Sequence, residues 1–134
     1  MSQSANEVQI RALLEDWAKA VRAKDIAGVL AHHTDDVLMF DVPPPTAVRG
    51  IAAYRNTWPQ FFQALTEGRA AFDVAELHVT AGDTVAFATA LLRCGSTAEL
   101  AKDNTPRLRL TFGLRKVGGA WKVAHEHHSF PAES

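Results

Sequence analysis

Several things are scarce in these 134 residues, and each scarcity excludes something. Cys94 is the only cysteine, so no internal disulfide forms, and a reducing compartment such as the cytoplasm is the expected setting. No apolar run approaches the length of a bilayer crossing, and Met1-Ser2-Gln3-Ser4 has neither the basic nor the apolar region of a secretory leader. Fourteen basic residues nearly balance fifteen acidic ones, leaving a net charge of −1. No long-range field therefore draws the chain to nucleic acid or to an anionic membrane. There is no repeat, low-complexity tract, phosphate-cradling glycine loop, dinucleotide fingerprint or nucleophile motif. The length suits one domain, 1–134, with one core.

What is present is helical spacing first and strand alternation later. Ile10, Leu13, Leu14, Trp17, Ala18 and Val21 form one apolar stripe, which predicts a helix from about Ala5 to Ala23. Ser4 and Glu7 have the form of a capping box at its start. Asp25 can cap a short second helix with Ile26, Val29 and Leu30 inward. Val37 to Val42 reads as a strand that must leave its sheet at Pro43-Pro44-Pro45, because proline cannot donate to a ladder. A third helical stretch after Gly50 carries Ile51, Tyr54, Trp58, Phe61, Phe62 and Leu65, and Pro59 predicts a kink or break at Trp58.

After Arg69 the chain reads as strands. Phe72–Thr80 meets Thr84–Cys94, and Arg107–Val117 meets Ala120–Ser129 across Gly118-Gly119. Residues 95–106 read as a loop. The class is α+β, with helices on one face of a curved antiparallel sheet. Regular pairing of the last hairpin sets Thr111 opposite Glu126 and Arg109 opposite His128. One face then carries Arg109, Thr111, Glu126 and His128. The other carries Leu110, Phe112, Leu114, Trp121, Val123, His125 and His127. The apolar face belongs under the helices by periodicity, yet a dimer interface would bury it equally well.

WAKAVRAKD (Trp17–Asp25), DDVLMFD (Asp35–Asp41), Arg49-Gly50 before a helix and GAWKVAHEHHS (Gly119–Ser129) together resemble the nuclear transport factor 2-like superfamily, in its SnoaL-like and ketosteroid-isomerase-like branch. The resemblance spans nearly the whole chain and implies a cystatin-like cone with a ligand pocket inside. It is far more specific for fold than for function, since this fold hosts enzymes, binding modules and assembly domains. It matches Asp41 to the steroid enzyme's general base, puts Trp17 where a catalytic tyrosine stands, and puts Thr111 at a second, proton-bearing carboxyl. It places the face of Arg109, Thr111, Glu126 and His128 inside the cone and gives the apolar face to a homodimer.

Each candidate has two readings. Asp41 is either bonded to the proline-rich loop or Arg49, or it is a general base. Arg109, Glu126 and His128 are either a self-satisfied polar cluster, or a set in which Arg109 grips an oxyanion while Glu126 or His128 moves a proton. Trp17, Tyr54, Trp58 and Phe62 are core residues or pocket wall. His125 and His127 share a face, but no second ligand cluster has matching spacing, so no metal is expected. The leading function is binding of a small, largely apolar molecule with one polar oxygen, without cofactor, and with isomerisation, dehydration or cyclisation next to a carbonyl as the reaction. The alternative is a non-catalytic metabolite-binding or assembly domain. With both usual oxyanion donors replaced, the resemblance implies negligible steroid isomerisation and, through Arg109, a preference for carboxylate ligands.

Overall fold

The computed structural model describes residues 2–132, with side chains from residue 5 onward. Helix α1 (Ser2–Arg22) carries the predicted stripe, and Ile10, Leu14, Trp17, Ala18 and Val21 are all buried. It begins three residues before the predicted start, and the side chain of the proposed cap, Ser4, lies outside the described residues. Asp25 does cap α2 (Ile26–Leu30): its carboxylate accepts the Gly28 amide at 3.1 Å. Strand β1 (His33–Phe40) starts four residues earlier than predicted, and a two-residue β2 (Val48–Arg49) follows the proline turn.

The third helical stretch is two helices, α3 (Ile51–Arg55) and α4 (Trp58–Thr66). Pro59 stands in the first turn of α4, where its missing amide costs nothing, so the interruption falls just ahead of Trp58. Strands β3 (Asp73–Ala81) and β4 (Val85–Arg93) form the first hairpin. The segment expected as loop contains a short helix, α5 (Thr97–Lys102). Its signal was legible: Ser96 and Glu99 form a reciprocal capping box. Strands β5 (Leu108–Val117) and β6 (Ala120–Ser129) complete the fold. Gly118 and Gly119 both take positive φ, as the tight turn between them needs.

The six strands run in the order β2-β1-β6-β5-β4-β3. All neighbours are antiparallel except β1 and β6, which are parallel, the long intervening chain serving as the crossover. One irregularity in the last hairpin governs the site. Pairing is regular from Val117–Ala120 to Leu114–Val123; then Ala124 is skipped and Gly113 faces His125. This β-bulge puts one extra residue into β6 and turns every later side chain to the opposite face.

The regular pairing expected from sequence is therefore wrong beyond the bulge. Thr111 lies opposite His127 and Arg109 opposite Ser129, both on the outer face and exposed. Leu108, Leu110, Phe112 and Leu114 point under the helices with Trp121 and Val123. Periodicity placed Leu110, Phe112, Leu114, Trp121 and Val123 under the helices, where they are, but His125 and His127 lie past the bulge on the outer side; of the four residues that the resemblance put inside the cone, Glu126 and His128 are buried and Arg109 and Thr111 are not. The apolar residues under the helices fill the core of one chain, so they cannot be the dimer interface.

Candidate functional site

Glu126 and His128, carried inward by the bulge, are the polar members of an otherwise apolar face. Parallel pairing of Met39 with Glu126 and Phe40 with His127 brings Asp41, the first residue past β1, level with His128. His33, at the other end of β1, also points inward.

The result is a continuous polar chain through the core. Glu126 is fully buried and accepts three hydrogen bonds. Tyr54 donates its hydroxyl proton at 2.7 Å, His128 donates from Nε2 at 2.8 Å, and His33 Nε2 donates to the oxygen that Tyr54 also reaches. Trp17 Nε1 donates in turn to the Tyr54 hydroxyl oxygen at 3.1 Å. On its other side His128 Nδ1 lies 3.4 Å from Asp41 Oδ1, which also accepts the Val42 amide at 2.8 Å.

Asp41 and His128 border a cavity of about 330 Å³. Its other walls are chiefly apolar, with Trp58, Phe61, Phe72, Leu108 and Phe130 prominent. The wall is thus apolar with two convergent polar groups, Asp41 and His128. Among the described residues no cluster of side chains suits a metal ion, and no helix is long and apolar enough to cross a membrane.

A family model for SnoaL-like domains matches residues 10–133. The chain belongs to the SnoaL-like family. A nuclear transport factor 2-like protein of unknown function from Pseudomonas putida is 37% identical, with a TM-score of 0.84 over 97% of this chain and 89% of that one. A nuclear transport factor 2-like protein with a cystatin-like fold from Novosphingobium aromaticivorans is 17% identical, with a TM-score of 0.75 over 94% and 82%. A proposed ketosteroid isomerase from Shewanella frigidimarina is 19% identical, with a TM-score of 0.68 over 88% and 92%. No curated protein matches the chain.

Of the residues singled out from sequence, this SnoaL-like domain brings together Asp41, Glu126, His128 and Trp58 at or directly behind the cavity. Arg109 is not with them: its Nε donates to Ser129 Oγ at 3.2 Å on the exposed face, and Thr111 lies on that face too. Trp17 and Tyr54 stand one layer behind the wall rather than in it. Trp17 meets Trp58, Phe72 and Phe112 edge-on at 5.3–5.9 Å between ring centres. Phe62 stacks on Trp58, and its neighbour Phe61 is the one that lines the cavity. His33 was missed, because the polar run Thr34-Asp35-Asp36 hides the start of β1. Phe72, Cys94 and Phe130 were missed because only the folded sheet brings them beside α4.

The electrostatics follow from burial and contact. Burial alone would raise the Glu126 carboxyl, but the hydrogen bonds from His128 and His33 and the pull of both imidazoles outweigh it, holding it at about 2. Burial alone would depress His128; its contacts with Asp41 and Glu126 outweigh that and raise it to about 9. Burial, reinforced by the charge on Glu126, pushes the Tyr54 phenol well above its usual 10. At neutral pH His128 is thus an imidazolium held against the Glu126 carboxylate, with the Tyr54 phenol neutral.

These shifts set a stability window. Glu126 titrates below its ordinary 4.5, so its contribution is complete above that value and fades as pH falls towards 2. His128 titrates above its ordinary 6.5, so its contribution is complete below that value and is lost as pH rises through 9. Denaturant titrations should show the greatest contribution from the pair between pH 4.5 and 6.5. His128→Gln should flatten the decline between pH 6.5 and 9, and an unchanged decline would show that His128 is not its source.

Proposed function

We propose that this SnoaL-like domain binds a small, largely apolar molecule with one polar oxygen and catalyses cofactor-free proton transfer beside a carbonyl, with Asp41 as general base. Isomerisation, dehydration and cyclisation share that first step. The observation carrying the proposal is the convergence of Asp41 and His128 on one wall of an apolar cavity, with His128 held from behind by a buried anion.

In the first step Asp41 takes a proton from the carbon next to the carbonyl, and the electron pair moves onto the carbonyl oxygen. Protonation removes the charge of Asp41 that held the Nδ1–H of His128, which then donates, with the ring unmoved, to an enolate oxygen lying beside Asp41 in its direction. An electrostatic donor of this kind is worth several kcal/mol in a water-poor site. The proton on Asp41 then returns to another carbon, or to a departing hydroxyl. Glu126 takes no part in the transfer; it fixes the imidazole's orientation and charge.

This reading changes the expected ligand. Preference for carboxylates rested on Arg109, which faces the other way. Asp41 and Glu126 outnumber the one cation between them, which favours a neutral carbonyl or enol. A homodimer also needs a new surface, and the outer sheet face supplies it, with Val85 and Phe87 more than half exposed.

The test is proton exchange on a simple ketone. In deuterated water the protein should speed loss of the activated ring protons of 2-tetralone above the buffer rate, followed by NMR. Binding without such exchange would support the alternative, a non-catalytic metabolite-binding domain.

A further inference from the structure

The cavity described above has a neighbour. Beyond Cys94 and Phe130, which line both, lies a second and wider cleft of about 830 Å³. Its character is different. Glu99, Asp103, Thr105 and Arg107 edge it, between α5 and Pro131-Ala132. Glu99 and Asp103 each use one carboxylate oxygen on a backbone amide, Ser96 and Thr105 respectively, which fixes both side chains at the cleft. The Ser96 amide holds the Glu99 carboxyl below its usual range, and the Thr105 side chain, then its amide, do the same for Asp103, so both are charged at neutral pH; Arg107 is the one cation among the described residues that line the cleft. Phe130, an aromatic ring 41% exposed, stands at the junction.

Size limits what the inner cavity accepts. At about 30 Å³ for each water's share of liquid, 330 Å³ corresponds to about eleven waters, or a ligand body of roughly ten to fifteen non-hydrogen atoms. A one- or two-ring body fits the inner cavity by itself; a larger molecule has to extend into the outer cleft. A molecule ending in the inner cavity would leave the outer cleft wet and Phe130 uncovered.

Resting on the reading of Asp41 and His128 as the reacting end, we propose that the substrate is bipartite. An apolar one- or two-ring ketone fills the inner cavity, and a hydroxylated, uncharged arm runs past Phe130 into the outer cleft. Charge selects the arm: two carboxylates against one guanidinium repel a carboxylate or phosphate. Hydroxyl groups can donate to the free oxygens of Glu99 and Asp103 and accept from Arg107.

Four probes test this: 2-tetralone, 2-tetralone with a glucosyloxy arm on the distal ring, its carboxymethoxy counterpart, and a four-ring steroid enone. Affinities are read by amide NMR titration, which also maps each contact. The glucoside should bind about tenfold more tightly than 2-tetralone and move the signals of Glu99, Asp103 and Phe130; the carboxylate should gain nothing. Glu99→Gln combined with Asp103→Ala, both outside the inner cavity, should remove most of the glucoside's gain and leave 2-tetralone binding intact. Equal affinities for glucoside and parent, unmoved α5 signals, tighter binding of the steroid than of 2-tetralone, or no binding of any probe at millimolar concentration would each overturn the inference. Proton exchange on 2-tetralone separates the two proposals. Exchange without an arm effect removes only the bipartite substrate, and an arm effect without exchange removes only the role of Asp41 as base.

Discussion

Glu126→Ala should cost the fold about 3–5 kcal/mol, measured by urea denaturation near pH 6. The carboxylate is fully buried and accepts from Tyr54, His33 and His128 together. Its removal leaves three donors facing an apolar hole and an imidazolium without its inner counter-charge. Single domains hold only about 5–15 kcal/mol in all, so the alanine variant would be marginal. Glu126→Gln covers that case. It keeps the volume but removes the charge, and it turns an amide NH₂ towards at least one group that also donates. The glutamine variant should fold, lose less stability than the alanine variant, and bring His128 down from about 9 towards its ordinary 6.5, visible in the imidazole NMR titration. A loss under about 1 kcal/mol for alanine, with an unmoved His128 titration, would show that Glu126 does not anchor the site.

The second large effect concerns Asp41→Asn. Its side chain is partly exposed at the cavity edge, with one oxygen occupied by the Val42 amide and facing His128. Asparagine preserves the size and an acceptor for those contacts but cannot take a proton. If Asp41 is the base, exchange on 2-tetralone should fall by about 10²–10⁴-fold, the usual worth of a positioned general base. Affinity for the ketone should change only a few-fold, since the apolar wall supplies most of the binding. Loss of the carboxylate should also lower the His128 titration, because Asp41 is one of the groups that raise it. Exchange that survives in the asparagine variant would move the base elsewhere, with His128 the next group to test.

The sequence by itself determined the elements and most of the core. Helical stripes, proline stops, the Gly118-Gly119 turn and strand alternation are local signals, set by backbone sterics and by which side chains avoid water. They yielded α1, α2, both hairpins and the break before Trp58. They also placed Leu110, Phe112 and Leu114 under the helices, where they are. Even α5, missed, carried its capping box in plain view. Asp41 stood out in the sequence as an aspartate ending an apolar strand and as the residue that the family resemblance matches to a general base.

Only the tertiary structure decided which polar residues work together. The register of β6 depends on one skipped residue, Ala124, and pairing rules based on alternation contain no term for an inserted residue. That single residue turned Glu126 and His128 to the inner face, away from Arg109 and Thr111, which alternate outward along the regular β5. The union of His33 with Glu126, 93 positions apart, and of Asp41 with His128 depends on the parallel pairing of β1 and β6. Long-range pairing of this kind is settled by how well two distant faces bury each other, a free energy that exists only once the sheet has closed.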